Sequence, residues 1–238
     1  MNRLDPSPSP PSNAPMNGAS SPPFDREGAY RQYLEGLLTG NRQQCRDCFE
    51  QWLEATPDLL TIYEGLVMRA LYEVGEQWEH GKISVATEHL ATAISETLLN
   101  LTYPRLFARP RVGRSAVISC VANEYHQIGG RMVADLFEQH GWRGYFLGAD
   151  TRVSEALALI SEKRPEVVAL SVSTVAGLPR LIEAATEIRR LFPNLPILAG
   201  GQVFRWSGRE EVEQIPNVRC LAGLGELEAW IKGATPHD

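Results

Sequence analysis

One stretch of sequence decides the fold: Ser115-Ala-Val-Ile-Ser-Cys-Val121, followed by Glu124-Tyr-His-Gln-Ile-Gly129. The first part is an apolar run of the length of a β-strand, and the second leads into a helix-like run over residues 129–137. Open α/β sheets bind ligands at the carboxyl ends of their strands, so His126 is placed at a predicted ligand site. Gly129 lets a large group approach the backbone there.

Short apolar runs alternate with amphipathic runs throughout the second half of the chain. This alternation is typical of a parallel sheet that helices cover on both faces. The predicted strands are residues 115–121, 143–147, 166–171, 196–199 and 217–221. The predicted helices are residues 128–140, 152–163, 177–192, 207–214 and 224–233. The sequence therefore predicts an α/β domain with five strands and a flavodoxin-like or Rossmann-like doubly wound fold.

Residues 27–108 show helical periodicity and precede the predicted sheet. Four amphipathic helices joined by short turns imply a small bundle. These helices are predicted at residues 27–38, 42–54, 58–79 and 84–107. Thr56 is predicted to cap the third helix, with Pro57 in its first turn. Residues 1–26 are rich in Pro, Ser and Asn and are predicted to be a disordered tail, which leaves residues 109–238 for the sheet domain.

The composition is that of an ordinary globular protein, with 43% hydrophobic and 22% charged residues among 238. A net charge of −6 argues against bulk electrostatic binding to nucleic acid or anionic membranes. No apolar run approaches the roughly 20 residues of a membrane helix, and no signal-peptide pattern is present, so we expect a cytoplasmic protein without a membrane partner. The cysteines are predicted to be buried or incidental thiols: Cys45, Cys48, Cys120 and Cys220.

The loop around His126 resembles the Asp-x-His-x-x-Gly signature of cobalamin-binding domains, with Glu124 in place of the aspartate. Two further segments of that signature follow at the family's spacing: Ser171-Val-Ser173 and Gly200-Gly201. The resemblance implies that His126 is the lower axial ligand of a corrin cobalt. Glu124 is the nearest candidate to fix the tautomer of His126, with Ser171 next. Because glutamate is one methylene longer than aspartate, this contact could be loose or water-bridged.

The resemblance also implies a slot for the displaced nucleotide tail of the cofactor. Gly200 and Gly201 would let the backbone approach the tail, and hydroxyl groups would lie near its phosphate and base. The implied contacts on this side are Glu124, Tyr125, His126, Gln127, Ile128, Gly129, Ser171, Ser173, Thr174, Gly200, Gly201 and Gln202.

A second group of residues lies in the helical half. Trp78, Val85, Glu88 and His89 resemble the Trp-x9-Glu-His signature of the cap domain in cobalamin-dependent photoreceptor repressors of the CarH type. The resemblance covers residues 27–233. It implies that Trp78 packs on the upper ligand, Val85 shapes the pocket, Glu88 binds a ribose hydroxyl and His89 adds polar contacts. Adenosylcobalamin is then the expected cofactor, and the hydroxo and methyl forms remain alternatives.

The chain departs from those repressors in two places. They carry an N-terminal helix-turn-helix domain, whereas this chain has a Pro/Ser-rich tail, so we expect no direct DNA binding. In layout it resembles AerR-type antirepressors and photocobilins, and photocobilins also bind a bilin such as biliverdin. The repressors also have a histidine directly after the tryptophan, where this chain has Glu79, and His80 follows one residue later. One residue is about 100° around a helix, so the role of His80 depends on where the helix ends.

The leading hypothesis is a cobalamin-dependent light sensor rather than an enzyme. Light-triggered loss of the upper ligand would change a homo-oligomer, dimer or tetramer, or the binding of a transcription regulator or signalling protein. One alternative is a corrinoid methyl carrier of a methyltransferase system. Another is a dual cobalamin and bilin sensor, with Trp52, Tyr63 and Tyr72 lining the bilin site. His140 is predicted to be a structural cation at a helix end, and His237 to lie in a tail.

Overall fold

The structure, a computed structural model, describes residues 24–235. The helical cap (residues 26–106) comes first. Its elements are α1 (Arg26–Thr39), α2 (Arg42–Ala55), α3 (Leu59–Ile62), a π-helical turn (Tyr63–Met68), α4 (Arg69–Glu79), α5 (Val85–Leu98), a 3-10 turn (Leu99–Thr102) and α6 (Tyr103–Leu106). Because α3 continues through the π-helical turn into α4, and α5 through the 3-10 turn into α6, the four predicted helices are confirmed.

Two helix starts in the cap depend on aspartate side chains. The carboxylate of Asp58 accepts hydrogen bonds from the N–H groups of Leu60 (3.3 Å) and Thr61 (3.0 Å), so Asp58 caps α3. The prediction of Thr56 as cap and Pro57 in the first turn is wrong. Thr56 ends α2 in an extended conformation, which the following proline favours. Asp25 caps α1 in the same way. The predicted tail over residues 1–26 is therefore wrong for Asp25 and Arg26, where α1 starts, and residues 1–23 lie outside the described residues.

The second half of the chain forms a five-stranded parallel sheet. Its strands are β1 (Ser115–Cys120), β2 (Arg143–Phe146), β3 (Val167–Ser171), β4 (Ile197–Gly200) and β5 (Val218–Cys220). The strand order is β2-β1-β3-β4-β5, which confirms the doubly wound prediction. In this register Cys120 pairs with Ser171, and Ser171 pairs with Gly200. The three signature segments therefore meet at one edge of the sheet.

Alternate strand residues point to opposite faces of the sheet. Val117 and Val168 face one core, which α8 (Val153–Lys163) and α9 (Leu178–Leu191) cover. Ile118 and Ala169 face the other core, which α7 (Ile128–Gln139) and α11 (Leu224–Ala234) cover. The predicted helix at 207–214 is a single turn, α10 (Arg209–Val212).

The cap and the sheet share the core that α7 and α11 cover. Buried residues from both parts belong to this core, among them Ile62, Leu66, Leu98, Met132, Leu136, Leu227 and Ile231. Two polar contacts from the π-helical turn add to it. The hydroxyl of Tyr63 donates to Asp135 Oδ2 on α7 at 2.8 Å, and Glu64 Oε1 accepts from the N–H of Gly225 on α11 at 3.0 Å. The π-helical turn thus fixes the cap to two helices of the sheet domain.

All four cysteines are buried free thiols, as predicted. Within the part of the chain that the structure describes, no helix combines the length and the apolar character needed to cross a membrane.

Burial raises the pKa of Asp135 from its ordinary 3.8 to about 6. A carboxyl group whose pKa is higher in the folded state stabilises the fold at low pH, and that stabilisation is lost as the pH rises through about 6. Asp135→Asn keeps an acceptor for Tyr63 without the charge. We expect it to melt above the wild-type temperature at pH 8, with the difference vanishing at pH 4.

Calorimetric melting curves at several pH values check this prediction. Asp58→Asn is the matched control, because it makes the same change at a helix cap, and its difference from wild type should not follow this pH course. A constant deficit of Asp135→Asn at all pH values would contradict the prediction.

Candidate functional site

His126 lies in the loop between β1 and α7, and Glu124 determines its orientation. The imidazole Nδ1 is 2.6 Å from Glu124 Oε1, and the His126 backbone N–H donates to the same oxygen at 2.8 Å. The other oxygen, Oε2, accepts from the backbone N–H of Ser173 at 2.6 Å. The Glu124 side chain is 2% exposed, whereas that of His126 is 65% exposed. One buried carboxylate therefore joins the loop after β1 to the loop after β3.

The charges of this pair determine the histidine tautomer. Burial would raise the pKa of Glu124, but hydrogen bonds from His126 and Ser173 outweigh burial and lower it. The hydrogen bond with Glu124 raises the pKa of His126. An ionised carboxylate only accepts hydrogen bonds, so Nδ1 carries the proton. In the neutral ring the lone pair of Nε2 is then free for a ligand.

Of the two side chains predicted to fix the tautomer of His126, Glu124 contacts the ring directly. The other Glu124 oxygen accepts from the backbone N–H of Ser173. Ser171 is buried at the end of β3, where its carbonyl accepts from the N–H of Val121.

The glycines of the signature have two different roles. A Cβ atom on Gly129 or Gly200 would meet nothing within 4 Å, so both keep space clear at the sheet edge. Gly201 has φ +126°, and a Cβ atom there would come within 1.9 Å of the Val172 carbonyl oxygen. Only glycine fits that position. Gly201 is thus required by backbone packing, whereas Gly200 leaves room for a ligand.

Some of the remaining residues predicted on this edge are exposed, and others contact the core or the cap. Tyr125 and Thr174 are exposed, and Gln202 begins a 3-10 turn. Ile128 is buried in the core instead of facing the site. Gln127 Nε2 donates to Glu96 Oε1 on α5 at 2.7 Å, so its amide binds the cap. Sequence reasoning missed Glu96, although its position two turns after Glu88 on the same helix was an available signal.

The predicted cap residues lie at the turn between α4 and α5. Trp78 is 46% exposed and Val85 is 49% exposed. Glu88 accepts from the Thr92 hydroxyl at 3.0 Å and contacts His89 Nδ1 at 2.6 Å. Helix α5 contacts the His126 loop through Glu96, whose carboxylate accepts from Gln127.

His80 follows the last residue of α4. The helix ends at Glu79, and His80 Nδ1 lies 2.7 Å from the carbonyl oxygen of Glu76, to which it donates. The ring is thus held against its own helix by one nitrogen.

The predicted bilin site is not supported by the structure. Trp52 and Tyr63 are buried in the core, and Tyr72 is partly covered by the guanidinium of Arg205, 4.8 Å from its ring. These three aromatic side chains therefore do not line an open bilin site.

The prediction of His140 as a cation is wrong. Burial lowers its pKa, its Nδ1 accepts from Arg109 at 3.2 Å, and its Nε2 donates to Glu228 at 3.1 Å. His237 lies outside the described residues.

Comparison with known families identifies both halves of the chain. Residues 114–228 match the B12 binding domain family, and residues 29–102 match a second family that is also described as a B12 binding domain.

Two curated relatives are transcriptional regulators of Myxococcus xanthus. The chain is 29% identical over 145 residues to the HTH-type transcriptional repressor CarA, which covers 60% of this chain and 48% of that protein. It is 28% identical over 161 residues to the HTH-type transcriptional repressor CarH. That alignment covers 67% of this chain and 52% of CarH. The chain therefore spans about half the length of these curated relatives.

A solved structure, the monomethylamine corrinoid protein of Methanosarcina barkeri, has the same fold. It matches with a TM-score of 0.74 over 88% of this chain and 99% of that chain, at 14% identity. At this identity the likeness is one of fold.

The buried carboxylate of Glu124 accepts three hydrogen bonds, so its replacement by an amide should destabilise the fold. We expect Glu124→Gln to lower the free energy of unfolding by about 1–3 kcal/mol, because its NH₂ group would replace one required acceptor. Urea unfolding measures the loss. The control is Glu166→Gln, since Glu166 Oε2 also accepts a backbone N–H, from Ser115 at 2.6 Å, but is exposed. Equal losses in the two variants would show that the buried contacts of Glu124 add nothing.

Proposed function

We propose that the chain binds cobalamin through His126 and regulates a protein partner in response to light, because each half matches a family described as a B12 binding domain. The observation that carries the proposal is the Glu124–His126 contact. It leaves the Nε2 of an exposed imidazole free at the ligand-binding edge of the sheet.

At the lower face, His126 would bind cobalt through Nε2. Imidazole is a suitable ligand for late first-row metals. Glu124 would hold the ring in position and raise its basicity, as carboxylates do for metal-bound histidines. Gly129 and Gly200 would leave space for the corrin and its nucleotide tail. Ser171, Ser173, Thr174 and Gln202 would surround that tail.

At the upper face, Trp78 and Val85 would cover the adenosyl group of adenosylcobalamin with apolar surface. Both side chains are exposed, Trp78 at the end of α4 and Val85 at the start of α5. Glu88 would accept a hydrogen bond from a ribose hydroxyl, and His89, which contacts Glu88, would hold its carboxylate in place. The cofactor supplies a Co–C bond that visible light breaks. Methylcobalamin and hydroxocobalamin would use the same lower ligand and leave the Trp78 surface less covered.

The regulatory output would pass through a protein partner or through a change between dimer or tetramer and smaller species. The relatives' names describe repressors, and this chain matches about half of their length. Its net charge of −6 gives no general attraction to DNA. A protein surface whose shape depends on the upper ligand is the simpler output.

Illumination of protein loaded with adenosylcobalamin in the dark tests the light response. We expect an irreversible change of the visible spectrum and a change of molecular mass in size-exclusion chromatography with light scattering. Trp78→Ala should reduce the preference for adenosylcobalamin over hydroxocobalamin, because it removes the cover of the adenosyl group. A spectrum that stays constant under light, together with methylation of the bound cobalt by a methyltransferase, would instead assign a corrinoid carrier.

His126→Ala tests the lower ligand. The spectrum of cob(II)alamin in electron paramagnetic resonance should lose the nitrogen hyperfine splitting from imidazole. The unloaded variant should lose part of its stability, because it lacks one of the three donors to the buried Glu124 carboxylate, so the spectra are compared at a temperature at which both proteins are folded. His80→Ala is the control and should keep the splitting in the dark. Unchanged splitting in His126→Ala would refute this ligand assignment.

A further inference from the structure

Three residues on one face of α7 bind the cap. They are Gln127, which precedes the helix, Arg131 and Asp135, at a spacing of four residues that aligns them along the helix. Gln127 contacts Glu96. Arg131 donates to the Glu96 carbonyl at 3.2 Å and to Asn100 Oδ1 at 2.7 Å. Helix α5 and the 3-10 turn that follows it are thus bound to the helix that begins beside His126.

The contact closest to the metal-binding loop is the one between Glu96 and Gln127. Gln127 follows His126 directly in the chain, and its Nε2 donates to a carboxylate at 2.7 Å. Because this hydrogen bond joins the residue after His126 to α5, a shift of Glu96 would act on the loop that carries His126.

The contact farthest from the loop is the most deeply buried. Tyr63 is fully buried and binds Asp135 within the core that the cap shares with the sheet. Breaking this contact would leave a buried polar group without a partner. This end of the cap is therefore fixed, and a movement of the cap has to occur at its other end.

That other end carries the residues proposed for the upper face. Glu88 and Glu96 lie on one helix, eight residues or about 12 Å apart. Glu88 lies one turn after the exposed Val85 on α5, whereas Glu96 binds Gln127. Helix α5 thus contacts the proposed upper face with one end and the His126 loop with the other.

We propose that Glu96 and Gln127 are positioning residues that couple occupancy of the upper face to binding of cobalt by His126. This inference rests on the proposed function. Because coupling is reciprocal, loss of the Glu96–Gln127 contact should reduce the extra affinity that the protein has for cobalamin with a large upper ligand.

The test places a second carboxylate against Glu96. Gln127→Glu replaces the hydrogen bond with repulsion, and Glu96→Gln in the same chain restores a hydrogen bond with donor and acceptor exchanged. Gln43→Glu is the matched control, because Gln43 Nε2 donates to Asp47 at 2.8 Å on α2, a helix with no part in the proposed site. The dissociation constants of adenosylcobalamin and hydroxocobalamin are measured in the dark for wild type and the three variants.

We expect Gln127→Glu to reduce the ratio of the two affinities roughly three- to tenfold, and the double variant to return it to near the wild-type value. Amide hydrogen exchange of residues 124–131 in the unloaded protein should be faster in Gln127→Glu and normal in Gln43→Glu. A purely structural contact would weaken both cofactors equally and leave the ratio unchanged. That outcome, or no rescue by the double variant, would overturn the inference.

The two proposals fail in different ways. If wild type shows no nitrogen hyperfine splitting from His126 or no binding of cobalamin, the proposed function fails. If wild type binds cobalamin through His126 and Gln127→Glu behaves like Gln43→Glu, only the coupling fails.

Discussion

The site depends on the buried carboxylate of Glu124. Its two oxygens join the loop after β1 to the loop after β3 and determine which nitrogen of His126 faces outward. Burial of a carboxylate is costly unless hydrogen bonds compensate it, and here backbone and side-chain donors do so. A longer side chain than aspartate still reaches the ring directly, because the ends of β1 and β3 are adjacent in the sheet.

Much of this arrangement could be predicted from the sequence because it follows from strand order and periodicity. Short apolar runs indicated the five strands, and a doubly wound sheet brings the segments at His126, Ser171 and Gly200 to one edge. The role of Gly201 could not be predicted. Its positive φ and close contact with Val172 arise because the loop after β4 packs against the backbone that follows β3, and glycine at a ligand site gives the same sequence signal.

Contacts between residues far apart in the chain could not be predicted from the sequence either. The sequence gives no sign that the neutral ring of His140 bridges Arg109 and Glu228, since these three residues meet only after the sheet domain folds. Gln127 was predicted to contact the cofactor because of its place next to His126. Its true partner, Glu96, lies 31 positions away, and local pattern does not determine which helix face packs against α7.

The cap is attached to the sheet unevenly, and this limits the motions that it can make. Its π-helical turn, with Tyr63 and Glu64, contributes to a continuous core and to two buried or capping contacts. The turn between α4 and α5 is exposed and carries Trp78 and Val85. Separating the whole cap would expose the shared core, at about 25 cal/mol for each Å² of apolar surface. A shift of the exposed turn exposes little core, so a switch built on this fold works most cheaply as a local movement of α4 and α5 about a fixed base.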